Sequence, residues 1–257
     1  MSVADAGIVA RDARPSRILP ALLATSAAAW LALVALSGSA WSGAFEHGAL
    51  EDLGAHRWHV ATLAAGWALM VAAMMLPTSL PLFALFARLT AARPDRRSLM
   101  AVLVGVYVLA WIVVGVAMHV ADFGVHRLVD EWRSLELHAW AIPAATLALA
   151  GGYQLSRLKQ RCATRCRTPE GFIRAHWHGG SAPAEASRLA LDHAASCVGC
   201  CWALMLVMFS VGVGSIAWMA VLTAVMAAEK TADVGPRLRA PVAIWLLAGA
   251  LLTVISG

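Results

Sequence analysis

Residues 99–120 read LMAVLVGVYVLAWIVVGVAMHV, a run without a single Asp, Glu, Lys or Arg. Coiled as an α-helix at 1.5 Å per residue, such a run is about 33 Å long. That length matches the roughly 30 Å hydrocarbon core of a bilayer. Six further apolar blocks follow the same pattern, at 18–40, 60–87, 137–155, 189–213, 215–228 and 241–256. Composition agrees, with 60% of residues hydrophobic and only 14% charged, where soluble domains carry about 25% charge. The expected fold is therefore all-α: a polytopic transmembrane helical bundle of about seven helices embedded in a lipid bilayer. A tail over 1–17 precedes a single transmembrane domain over 18–257, with a cytoplasmic loop over 156–188 and no soluble module.

The net charge of +5 does not point to nucleic acid, because the basic residues are sorted by loop. Of the 20 Lys and Arg, 17 fall in the tail and in alternate connections near 88–97, 157–188 and 230–239. The intervening connections hold only Arg57, Arg127 and Arg133 among many acidic residues. Lys and Arg concentrate in cytoplasmic loops, so the N-terminus is expected in the cytoplasm and the C-terminus outside. The first block also has the basic prelude and small-residue exit of a signal peptide, although its apolar stretch exceeds a usual signal core.

All five cysteines belong to the cytoplasmic side of this topology. Cys162 and Cys166 lie in the basic loop; Cys197, Cys200 and Cys201 lie in the cytoplasmic half of the fifth block. A reducing cytosol disfavours structural disulfides, so clustered thiols there point to metal or redox chemistry. His193, Cys197, Cys200 and Cys201 are spaced to share one helical face. Cys162 and Cys166 are four apart and would share a face if the fourth helix continued into the loop. The loop could fold back to join the two sets, bringing His176 and His178 close. Thiolates favour Cu(I) or Zn(II) over hard cations. The competing reading is packing, since free cysteine is a good small apolar residue.

Other features are softer. Met70 and Met74 share a face in the second block, ahead of Pro77 and Pro81, which free backbone carbonyls; Met205 and Met208 follow the cysteines. Thioethers bind Cu(I), which makes Met70, Met74 and Met205 secondary soft ligands, although methionine also fills gaps. On the outer side, His56 with His59 and His119 with Asp122 and His126 have spacings compatible with metal entry. Glu229 and Lys230 read as the polar boundary of the sixth block. Residues 168–185, rich in proline and glycine, read as a mobile polar loop.

Three stretches resemble a prokaryotic domain-of-unknown-function family described as predicted metal-binding integral membrane proteins. They are WALMVAAMMLPTSLP at 67–81, YQLSRLKQRCATRCRTP at 153–169, and 196–230 with its core Gly199-Cys200-Cys201-Trp202-Ala203-Leu204-Met205 and terminal Glu229-Lys230. The Gly-Cys-Cys-Trp element is the most specific of these. The sequence departs just before it, where LALDHAA at 189–195 has no glycine and keeps only His193 of a Gly-His-Gly-like stretch. The resemblance implies a multi-pass protein of a bacterial plasma (inner) membrane and supplies no mechanism.

The leading expectation is metal handling, with copper the favoured ion, in transport, delivery or enzyme maturation. Its ligands would be Cys162, Cys166, His193, Cys197, Cys200 and Cys201, and its partner a membrane protein or metalloenzyme. A membrane thiol oxidoreductase and a structural membrane partner are the alternatives. No nucleotide-binding loop is present, which argues against an ATP-driven pump.

Overall fold

The computed structural model describes residues 18–37, 58–131, 140–211 and 215–256. The tail at 1–17 therefore lies outside the described residues, as do His47, His56 and His138 and the side chains of His59 and His126. Among the described residues the structure is all-helical. In chain order the helices are α1 (Ile18–Ser37), α2 (Trp58–Leu89), α3 (Arg96–Glu131), α4 (Ala141–Gln154), α5 (Arg157–Arg167), α6 (Pro169–His176), α7 (Ala182–Val211), α8 (Ile216–Thr231) and α9 (Gly235–Ser256).

Five of these, α1, α2, α3, α7 and α9, are long and apolar enough to cross a membrane. The fourth and sixth apolar blocks form α4 and α8, of 14 and 16 residues. At 1.5 Å per residue they reach about 21 and 24 Å, short of a full hydrocarbon core. α2 and α7 are largely buried, whereas α1 and α9 lie at the periphery. α3 divides by face: Leu103, Tyr107 and Trp111 are fully buried, while Leu109, Val113 and Val120 are exposed. Residues four apart lie one above another on a helix, so one stripe of α3 meets the core and the other faces outward.

Pro77 explains how α1 finds its place. It has no N–H to give the carbonyl of Ala73 four residues back. That carbonyl instead accepts from the Ser26 hydroxyl at 3.0 Å and the Trp30 indole N–H at 3.1 Å. Ser26 and Trp30 are themselves four apart, on the face of α1 that packs against α2.

The polar segment after α4 is not a mobile loop. Ser156 caps α5 by accepting the Lys159 N–H at 3.1 Å, so α5 begins as a separate helix and is not a continuation of α4. Pro169 opens α6, where a missing N–H costs nothing. The chain then turns at Gly179, whose φ of +89° suits glycine. Glu185 on α7 accepts the backbone N–H groups of His178 and Gly180 at 3.1 and 2.9 Å. Because this carboxylate supplies the turn with acceptors, α7 starts at Ala182, a full two turns before the apolar run that marked it in the sequence.

Candidate functional site

α7 buries the predicted stripe. His193, Cys197, Cys200 and Cys201 are each at most 3% exposed. The Cys200 and Cys201 sulfurs lie 3.3 Å apart, and the Cys200 thiol donates to the Cys197 carbonyl at 3.2 Å. α5 packs on α7 and inserts a fourth sulfur: Cys166 is buried and interacts with Cys197 and Cys200. Cys162, one turn earlier, is half-buried and rests on the bare backbone of Gly199. A Cβ at Gly199 would stand 2.6 Å from the Cys162 sulfur, so glycine lets α5 approach here. The Tyr153 hydroxyl of α4 donates to the Gly199 carbonyl, and its ring meets Trp202 edge-on at 4.8 Å. All five cysteines are unbridged. Hydrogen bonding toward Cys197, with burial, pushes the Cys166 thiol well above the ordinary thiol range. Burial also raises Cys162, against a lowering pull from Arg165.

The charged groups around these sulfurs were not legible as a site. Glu229 and Lys230 are 5% and 4% exposed, so they are not the solvated end of a helix. Successive helical residues point about 100° apart, and these two face different neighbours. Glu229 pairs with Lys159 of α5 at 2.7 Å and accepts the Gln154 amide at 3.0 Å. Lys159 is itself fully buried. Lys230 turns the other way, donating to the Cys197 sulfur at 2.9 Å and to the Thr78 hydroxyl at 3.1 Å, with the Met75 thioether at 4.0 Å. The backbone carbonyl of Glu229 accepts from Arg167 at 3.3 Å. Ionisable residues inside an apolar helix run mark function by default, and that signal at 229–230 could have found this pair.

A polar chain connects His193 to the sulfurs. The His193 Nε2 lies 3.1 Å from the Ser79 hydroxyl, which donates to the Tyr107 hydroxyl at 3.0 Å; that oxygen lies 3.1 Å from the Cys197 sulfur. His193 stacks on Tyr107 and meets Phe172 of α6 edge-on. Its Nδ1 is buried and has no hydrogen-bond partner among the described residues. His193 is thus linked to the sulfurs through Ser79 and Tyr107. Thr78 and Ser79, between Pro77 and Pro81, are the polar contribution of α2.

Among the methionines, Met70, Met74 and Met205 are fully buried, but the thioether that reaches Lys230 is that of Met75, one position along from the predicted face. His176 and His178 do not join the sulfurs. His176 pairs with Asp192 at 3.0 Å, as does Arg165 at 2.6 Å, and the His178 ring lies 3.1 Å from the Ala175 carbonyl.

Four soft sulfurs from two helices therefore share one dry region beside a buried ammonium. Thiolates of this kind suit a soft cation such as Cu(I). Among the described residues, no three His, Cys, Asp or Glu side chains are disposed as a ready-made coordination shell. The thiols here hydrogen-bond to one another.

No curated protein and no solved structure matches this chain. A family model described as PpoB2, copper chaperone, matches residues 64–253, well over half of the chain. The matched region runs from α2 to α9 and takes in every residue of the sulfur cluster and its polar surround. On this match, the chain belongs to the PpoB2 copper-chaperone family.

Proposed function

We propose that this protein is a multi-pass bacterial inner-membrane protein that receives Cu(I) on its cytoplasmic side and passes it to a membrane or metalloenzyme partner. In this reading the chain crosses the bilayer about seven times from a cytoplasmic N-terminus. The short α4 and α8 then cross by local thinning of the bilayer. The exposed leucines and valines of α1, α3 and α9 face lipid.

Cys166, Cys197, Cys200 and Cys201 are the principal ligands of the cargo. Cys162, the one cysteine that is not fully buried, stands at the entry, with Met205 as a further soft donor. Met70, Met74 and His193 complete the proposed set at longer range. The observation that carries this reading is the convergence of α5 and α7 sulfurs in one buried place, in a chain of a copper-chaperone family. Zn(II), which prefers a closed tetrahedral shell of thiolate or imidazole, is the secondary candidate.

Anaerobic copper loading of the detergent-purified protein tests it. Wild type should retain Cu(I) through gel filtration, and a Cys200→Ser/Cys201→Ser variant should lose most of it. Equal copper content in the two would sink the assignment. The alternative of a thiol oxidoreductase draws support from the 3.3 Å approach of the Cys200 and Cys201 sulfurs. It requires an accessible, low-pKa thiolate, and the burial of four of the five thiols counts against it.

A further inference from the structure

Lys230 stands out among the buried charges. Lys159 and Glu229 neutralise one another at 2.7 Å. Lys230 is equally buried, yet among the described residues its ammonium donates to a sulfur, a hydroxyl and a thioether. Among the described residues no carboxylate pairs with it, and the adjacent Glu229 is committed elsewhere. A buried ammonium with no carboxylate to pair with is costly unless the sulfur it touches carries negative charge, so the site fixes a positive charge directly against Cys197. The Thr78 hydroxyl and the packing of α2 on α8 hold it in place.

A positive charge beside a cation site acts on the cargo by Coulomb's law. Repulsion grows with the charge of the metal and weakens with the local dielectric. The Lys230 Nζ lies 2.9 Å from the Cys197 sulfur. A metal bonded to that sulfur at about 2.3 Å would therefore lie within about 5 Å of the ammonium. For the same sulfur ligands, a divalent ion meets twice the repulsion that a monovalent ion meets. The ammonium also favours the thiolate that either ion needs, so its attraction for the ligand is common to both and its repulsion is not.

We propose that Lys230 is a specificity-determining residue that biases this sulfur site toward a monovalent soft cation and against divalent ions such as Zn(II). The inference rests on the copper reading of the site and deepens it, turning a preference of soft ligands into a selection by charge.

The test is the ratio of Cu(I) to Zn(II) affinity, measured by chelator competition on the full chain in detergent under reducing conditions. Lys230→Gln keeps a donor toward Thr78 and Cys197 without the charge; Lys230→Arg keeps the charge. The ratio should fall at least about tenfold in Lys230→Gln, the scale of one buried charged contact, and stay within about threefold of wild type in Lys230→Arg. A change in packing alone would weaken both metals together and leave the ratio in place. An unchanged ratio in a folded Lys230→Gln protein overturns the proposal. Wild type supplies a second check that needs no variant: Zn(II) binding within about tenfold of Cu(I) overturns it as well. Failure of the copper reading itself looks different, because wild type would then bind no Cu(I), or would bind it equally well without Cys200 and Cys201.

Discussion

Glu229→Ala should be among the most damaging single substitutions in this chain. The carboxylate is 4% exposed and the Lys159 side chain it meets is 1% exposed, at 2.7 Å. Removing it leaves a buried ammonium with no counter-charge, a loss of about 3–5 kcal/mol. The Gln154 amide loses its acceptor as well, and a buried unsatisfied donor costs about 1–3 kcal/mol. Part of this is recovered as α5 moves to let water reach Lys159, so we expect a net loss of about 4 kcal/mol. That movement has its own signature, since α5 carries Cys166 into the sulfur cluster. Reversible unfolding in mixed micelles, followed by tryptophan fluorescence, reads the stability. Timed alkylation of Cys166 reads the movement, and labelling should be faster in the variant. Lys159→Met/Glu229→Met, which removes both charges, should be more stable than Glu229→Ala. A loss under about 1 kcal/mol for Glu229→Ala, or a double variant no better than the single one, would refute the claim that this ion pair fastens α5.

Four further outcomes are expected. Gly199→Ala places a Cβ 2.6 Å from the Cys162 sulfur and should cost about 1–3 kcal/mol as overpacking; adding Cys162→Ala should return most of it in the same unfolding assay. Cys162 should be alkylated well before the four buried thiols. Because Cys166 is held above the ordinary thiol range, the fold prefers its neutral form. Its contribution is complete below the unfolded value near 8.5 and is lost as pH rises through the higher folded value. Stability should therefore fall on the alkaline side, and less so in Cys166→Ala. Trp30→Phe should cost about 0.5–1.5 kcal/mol through its lost bond to the Ala73 carbonyl, measured as loosened protection of α1 from protease in micelles.

Much of the fold could be read from the chain, because apolar length is a direct physical requirement of crossing lipid. The runs that became α1, α2, α3, α7 and α9 announce themselves in this way. The helices over 156–188 did not, because their causes are local and polar: the Ser156 hydroxyl, Pro169 at a first turn and the Glu185 carboxylate. The cysteine face on α7 followed from 3.6-residue periodicity. Its partner Cys166 required knowing how α5 docks, which no spacing within one helix reveals. Met75 reaches Lys230, a contact that the four-residue spacing of Met70 and Met74 does not reveal. Tyr107 and Ser79 were invisible because their role exists only where three helices meet.

The dipeptide at 229–230 also has a mechanical consequence. α8 is short, and it buries Met219, Leu222 and Met226 in the core beside this polar pair. A slip of one residue would rotate the helix by about 100° and drop both polar attachments at once, the one toward α5 and the one toward Cys197. The two neighbours thus act as a key cut on two sides. They hold α8 to a single register, and through it they hold the sulfurs on one helix in step with the arm that brings Cys166 from another.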